Sequence, residues 1–177
     1  MARLLELSRL ESGALQLHQS HVEIAELFAG LRSLFGDQAL SKGLRLHFAN
    51  VSRCSASSVW ADRKLLESIL QNLISNAIRH TAQGTVYVGV RRCAEFPPGR
   101  QLCFEVRDSG EGIAPERQAQ LFDAYRSFDD RRGSESHGLG LAIAKAQATY
   151  LGADIRLRSC PGAGSTFAVC GLGNTEV

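Results

Sequence analysis

The stretch from Asp62 to Gly84, containing LLESILQNLISNAIRHT, constrains the fold more than any other. Wound at about 100° per residue, it gathers Leu66, Leu70, Leu73, Ile74 and Ala77 on one side of a helix. Asn72, Asn76 and Arg79 fall on the other side, within an arc of about 60°. Asp62 is a suitable N-cap and Gly84 a suitable stop. Such a helix must bury its apolar side against another layer. Its polar edge raises a question, because Asn is a mediocre helix former and two of them here need a reason.

The flanking pattern supplies the other layer. LQLHQSHVEI alternates as a strand does, a helix is expected from Ile24 to Ser41 with Gly43 ending it, and LRLHFANV and SSVWAD read as further strands. TVYVGVRR and QLCFEVRD form a hairpin about FPPGR, and DIRLRS and STFAVC form another about CPGAG. A helix from Gly138 to Tyr150 ends at Gly152. Helices preceding and interrupting groups of antiparallel strands imply an α/β two-layer sandwich, with a mixed, largely antiparallel sheet packed on three helices. The 177 residues suffice for one domain with a real core. Ser109 to His137 is rich in Gly, Ser and charge, and segments of that length inside a domain are often lids.

Composition excludes some functions. A formal charge of +2 with no long basic run argues against nucleic-acid binding. No apolar run approaches a membrane span, and MARLLELSRLESG lacks the apolar core of a signal peptide. Five cysteines, at 54, 93, 103, 160 and 170, show no metal-ligand spacing and are expected as reduced thiols in the cytoplasm. Cys93 and Cys103 could meet across a hairpin, although inert buried thiols are the commoner outcome.

Three motifs carry chemistry. The Asn72, Asn76 and Arg79 edge is either a solvated face or the wall of a ligand cleft. An amide offers a neutral oxygen to a hard cation and an N–H to a phosphate. Mg2+ retains waters and substrate oxygens, so one protein ligand can suffice, and Arg79 can neutralise phosphate charge. DSGEGI, from Asp108 to Ile113, places a carboxylate at a strand end, able to accept a hydrogen bond from an exocyclic amine such as that of adenine. Gly110 and Gly112 permit turns and close approach there. HGLGLAIA, from His137 to Ala144, opens a helix with free N–H groups, a ready anion site. Each motif is weak alone; their order is specific.

In that order they resemble the Bergerat-type ATP-binding fold, and in detail the catalytic and ATP-binding domain of a bacterial sensor histidine kinase. LLESILQNLISNAIRHT is similar to that family's N box, DSGEGI to its G1 box, LFDAYRSF to its F box, and HGLGLAIAKAQATYLGADIRLRSCPGAGSTF to its G2 region and closing hairpin. LLELSRLESG resembles the last turns of the dimerisation helix. The resemblance implies that residues 1–13 are the stump of that helix and its linker. Residues 14–177 would then be the ATP-binding domain, with a flexible lid at about 109–137.

The implied cofactors are ATP and Mg2+. Asn76 is the implied metal ligand, with Asn72 beside it and Arg79 on phosphate. His80 stands beside the base, Asp108 reads adenine, and Gly110, Gly112 and Ile113 shape that wall. Gly138, Leu139, Gly140 and Leu141 form the phosphate turn, and Thr166 supports Asp108 through water.

The chain departs from the family pattern in three places. Ser136 and His137 replace a glycine and a small hydroxyl residue. Arg126 and Ser127 replace an aromatic followed by arginine, so the lid cation is Arg126, Arg131 or Arg132. None of His18, His21, His47, His80 and His137 is followed by the acidic residue and proline of a phosphoacceptor motif.

ATPases with this nucleotide fold carry a water-activating Glu four residues before the metal-binding Asn. Asn72 stands there, and an amide is no general base. Glu67 points away on the wheel and reads as surface. The resemblance therefore implies a protein-histidine kinase domain. Its implied partners are a separate dimerisation and phosphoacceptor domain and a response regulator or receiver domain, with no nucleic acid and no direct membrane contact. The expected location is cytoplasmic, including the cytoplasmic part of a membrane-anchored sensor. Alternatives are a degenerate, non-catalytic binding module and an anti-sigma-factor Ser kinase.

Overall fold

The computed structural model describes residues 16–49, 56–122 and 139–174. Asp62 caps its helix as expected: its Oδ1 accepts from the N–H groups of Lys64 and Leu65 at 3.0 and 3.2 Å, and its Oδ2 from His18 N–H at 2.9 Å. In order the elements are β1 (Gln19–Glu23), α1 (Ile24–Ser41), β2 (Leu44–Phe48), β3 (Ser58–Asp62) and α2 (Arg63–His80). They continue with β4 (Gly84–Arg92), β5 (Leu102–Asp108), α3 (Pro115–Gln118), α4 (Gly140–Tyr150), β6 (Asp154–Cys160) and β7 (Gly164–Asn174).

The strands form one sheet in the order β1-β3-β7-β5-β4-β2, with β6 also pairing β7. β2 runs parallel to β4, and the other pairs are antiparallel. The parallel pair is possible because the chain crosses over through β3 and α2 between them. Alternation sorts the sheet's two faces. Val86, Val88, Phe104, Val106, Phe167 and Val169 turn inward and share one core with Leu27, Phe28 and Leu31 of α1, Leu66, Leu70 and Leu73 of α2, and Ala144 and Ala148 of α4. Burying each large apolar side chain contributes roughly 1.5–3 kcal/mol. Tyr87, Arg107 and Arg158 alternate with that set and point to solvent.

Gly43 (φ 71°) and Gly152 (φ 69°) end α1 and α4 as expected. Gly84 does not end α2. The helix stops at His80, where Thr81 turns extended and its hydroxyl donates to Ala77 O at 2.7 Å. The stop is helped from outside the helix. Lys42 Nζ, in the turn after α1, donates to the carbonyls of Ile78 and Arg79, both at 2.6 Å. A cation there satisfies last-turn carbonyls and complements the negative end of the helix dipole. Gly84 instead opens β4 with φ 119°.

The cysteines differ from expectation. Cys103 and Cys170 face each other in register on β5 and β7 and are disulfide-bonded, with Cα atoms 4.1 Å apart. Cys103 thus meets Cys170, not Cys93, and the two are not reduced thiols. Cys93 is free and buried in the same cluster, and Cys160 is free and exposed. Cys54, the expected helix stump at residues 1–13 and most of the expected lid lie outside the described residues. No helix among the described residues is long and apolar enough to cross a membrane.

Candidate functional site

The apolar side of α2 lies in the core: Leu66, Leu70, Leu73, Ile74 and Ala77 are all fully buried. That fixes the helix's rotation and sets the polar edge toward the start of α4. Asn72 is half-buried, and its Nδ2 donates to Ser68 O one turn back at 3.0 Å. Its Oδ1 would stand 3.1 Å from a Cβ placed on Gly140. Asn72 and the glycine-bearing turn are therefore neighbours. The two helices are also joined where Gln147 Nε2 donates to Ser68 Oγ at 2.9 Å. Asn76, one turn on, is half-buried, and its side chain has no hydrogen bond to the described residues. Arg79 and His80 end the row and are exposed.

Asp108 closes the other side of the site. It ends β5 with only 7% of its surface exposed, on the inward face with Phe104 and Val106. Oδ1 accepts from Gly110 N–H at 2.9 Å and from Ser165 N–H at 3.2 Å. Burial raises its pKa above the ordinary carboxylate value, opposed by those two N–H groups and by the charge of His80. That coupling places His80 and Asp108 in one electrostatic neighbourhood. A carboxylate held by two N–H donors on one oxygen keeps the other oxygen as an acceptor for a ligand N–H.

The glycines of DSGEGI make room for the protein itself. A Cβ on Gly110 would lie 2.5 Å from His80 O, so the loop is pressed against the end of α2. Gly112 has φ 71°, and a Cβ there would collide with the carbonyl of Cys160 in the β6–β7 turn. Ile113 packs half-buried against the core, and its N–H donates to Ser159 Oγ at 2.8 Å. Leu139 precedes α4, with its carbonyl accepting from Ile143 N–H at 2.8 Å, and Leu141 packs on the core. Gly138 lies outside the described residues, as do Arg126, Ser127, Arg131, Arg132, Ser136 and His137.

Thr166 is not beside the Asp108 carboxylate. It pairs across the sheet with Arg107 and Arg158 and shares their outward face, where these residues and Tyr87 line a surface concavity of about 490 Å3. The residue paired with Asp108 is Ser165, 7% exposed and on the inward face. Sequence reasoning missed it by one position. The available signal was alternation: Phe167 and Val169 are the apolar, inward pair of β7, so Ser165 must turn inward with them. Lys42 and Ser159 were also missed: Lys42 lies outside every motif, and Ser159 sits in the closing hairpin with no role assigned to it. Glu67 is half-buried and accepts from Gln71 Nε2 at 3.3 Å, away from the Asn72–Asn76 edge.

The donor set suits a nucleotide with a hard cation. One helix edge offers two amides and a cation, the start of α4 faces it, and a buried carboxylate stands beside the helix end. No group of three or more His, Cys, Asp or Glu suited to holding a metal occurs among the described residues. A divalent cation would therefore depend on Asn76 and on oxygens of the ligand itself.

Comparison with known proteins agrees with this geometry. Residues 61–172 match the family described as histidine kinase-, DNA gyrase B-, and HSP90-like ATPase. The chain is 35% identical over 169 residues to the aerobic respiration control sensor protein ArcB of Escherichia coli, covering 94% of this chain and 21% of that protein. It is 32% identical over 165 residues to the signal transduction histidine-protein kinase BarA of Escherichia coli, covering 92% and 18%. The chain thus spans about a fifth of the length of these relatives.

Among solved structures, full-length ShkA in complex with AMPPNP superposes with TM-score 0.84 at 26% identity, covering 99% of this chain and 35% of that one. The catalytic domain of histidine kinase ThkA superposes with TM-score 0.71 at 20% identity, covering 88% and 98%, and supports the fold. The chain belongs to this ATPase family, and within it to the catalytic domains of sensor histidine kinases. Membership implies ATP as the ligand.

Proposed function

We propose that this chain binds Mg-ATP and donates the γ-phosphoryl group to a histidine on a separate dimerisation and phosphoacceptor domain, in two-component signal transduction. The observation that carries this reading is the position of Asn72. It lies against Gly140, four residues before Asn76, with an amide already spent on Ser68 O. A water-activating base would be needed there for hydrolysis, and an amide cannot serve. ATP is then held for a nucleophile brought from outside.

In this reading Asp108 accepts the exocyclic N–H of adenine, and Gly110 and Gly112 hold the loop that carries it. Arg79 and the N–H groups at the start of α4, from Leu139 to Leu141, neutralise and orient the phosphates. Asn76 would hold Mg2+, which supplies further charge neutralisation on the triphosphate when bound. The acceptor imidazole nitrogen attacks the γ-phosphorus in line, forming the N–P bond. The β–γ bridging O–P bond breaks, ADP leaves, and the imidazole proton passes to solvent. Protein chemistry here is positioning and charge.

The partners in this reading are the phosphoacceptor domain and, downstream, a response regulator or receiver domain, with the domain working in the cytoplasm. Residues 1–13 would lead from the dimerisation helix, and 109–137 would form the lid. The deciding experiment supplies a dimerisation domain bearing its histidine in trans, with γ-labelled ATP. Acid-labile, base-stable phosphate on that domain is the expected result. ATP binding without transfer to any such domain would favour a degenerate binding module, and acid-stable phosphoserine would favour a Ser kinase.

A further inference from the structure

Ser159, on β6, was given no role by the motifs above, yet its hydroxyl is the meeting point of three segments around Asp108. It accepts from Ile113 N–H at 2.8 Å, donates to Gly164 O at 3.0 Å, and lies 3.0 Å from Ser165 Oγ. A hydroxyl has one proton and two acceptor sites. With the proton on Gly164 O, both acceptor sites are filled, one by Ile113 N–H and one by the Ser165 hydroxyl. Ser165 in turn gives its backbone N–H to Asp108 Oδ1 at 3.2 Å.

The same node holds the loop that follows Asp108. Gln118 Nε2, on α3, donates to Ile113 O at 2.8 Å and to Ser159 O at 3.2 Å. Gly162 N–H donates to Glu111 O at 2.7 Å. The loop from Gly110 to Gln118 is therefore fastened to the β6–β7 hairpin at several points, and Ser159 is the side chain that joins them to the backbone under Asp108.

We infer that Ser159 is a positioning residue for base recognition: it fixes the Ser165 N–H that aims the Asp108 carboxylate, and it ties that aim to the anchorage of the loop from Gly110 to Gln118. The inference rests on the reading of Asp108 as the adenine acceptor. Ser159 touches no nucleotide atom in this account. It acts through Ser165 and Ile113, so its loss blurs the choice between adenine, which presents an N–H, and guanine, which presents a carbonyl.

The test measures Mg-ATP and Mg-GTP dissociation constants for this chain and for Ser159→Ala, Ser159→Thr, Ser165→Ala and Asp108→Asn. Ser159→Ala is expected to weaken ATP by about tenfold, one hydrogen bond's worth, and to erode the preference for ATP over GTP. A purely structural role would weaken both nucleotides alike and leave the ratio unchanged. Ser159→Thr keeps the hydroxyl and is expected to restore the ratio. If Thr behaves as Ala, the hydroxyl is not the cause and the inference falls.

An unchanged ratio in Ser159→Ala, with Asp108→Asn losing ATP, overturns this inference and leaves the role of Asp108 standing. Unchanged ATP affinity in Asp108→Asn overturns both. Should Ser159→Ala not fold, Ser165→Ala decides, because it removes only the link between the hydroxyls. A reduced ratio there supports the inference, and an unchanged one overturns it.

Discussion

Ser165 gives its backbone N–H to Asp108 Oδ1 at 3.2 Å, across the pair where β5 ends and β7 begins. The carboxylate is thus oriented by a neighbouring strand as well as by its own loop. Replacing Asp108 with Asn keeps an oxygen to accept from Ser165 and Gly110, so the fold is expected to survive. The substitution changes what the outer atom presents to a ligand. Asp108→Asn should abolish detectable ATP binding by calorimetry, while its melting temperature stays within a few degrees of the parent.

Asp108 also makes a prediction about pH. Its pKa in the folded chain is raised, chiefly by burial. A raised carboxylate pKa means the folded state holds its proton to higher pH than the unfolded state does. Ionised Asp108 therefore costs stability above its folded pKa, and that cost is relieved as pH falls through it. In the proposed reading ATP binding needs the ionised acceptor and moves the opposite way. Acid titration should weaken ATP binding beginning above the ordinary Asp range while the ligand-free domain gains stability, and Asp108→Asn should remove this group's part of the stability response.

Asn76→Asp tests the helix edge. The amide is half-buried and without a hydrogen bond to the described residues, so the isosteric carboxylate fits without displacing a neighbour. It adds a charge where a triphosphate is expected. ATP affinity should fall below detection at millimolar nucleotide, with circular dichroism unchanged. Retained affinity would remove Asn76 from the site.

Two glycines separate a conformational cost from a steric one. Gly162 has φ 81° with open space around its missing side chain, and Gly112 has φ 71° with the Cys160 carbonyl in the way. Gly162→Ala should cost about 1 kcal/mol from the left-handed backbone alone. Gly112→Ala should cost about 1–3 kcal/mol more, since backbone must shift. Chemical denaturation of the two variants gives the difference directly.

Lys42→Met removes the ammonium from the carbonyls of Ile78 and Arg79 and keeps the apolar stem. Charged hydrogen bonds of this kind contribute about 1–3 kcal/mol, and the exposed setting favours the low end. Urea denaturation should show the loss, and hydrogen exchange should quicken in the last turn of α2 before it does elsewhere.

Much of this architecture was legible in the sequence because it is local. The cap at Asp62, the hairpins about FPPGR and CPGAG, and the arc of Asn72, Asn76 and Arg79 each follow from residues close together in the chain. What was missed is non-local or turns on parity. Cys103 finds Cys170 at a separation of 67 residues, through strands that are not consecutive. Lys42 reaches a helix end 36 residues on. Thr166 was assigned where Ser165 stands, since a hydroxyl at either position satisfies a motif while only one faces the core. A one-residue slip along a strand exchanges its two faces.

β7 is the link between the two parts of the sheet: β1 and β3 lie to one side, and β5, β4 and β2 to the other. Since β7 follows the other strands of this sheet in the chain, translation delivers the joining piece after everything it joins. Ser165 arrives with it. A nascent chain halted before Gly164 would hold the helices and most of the strands without the Ser165 N–H that orients Asp108, so in the proposed reading nucleotide stabilises the chain only after the sheet has closed.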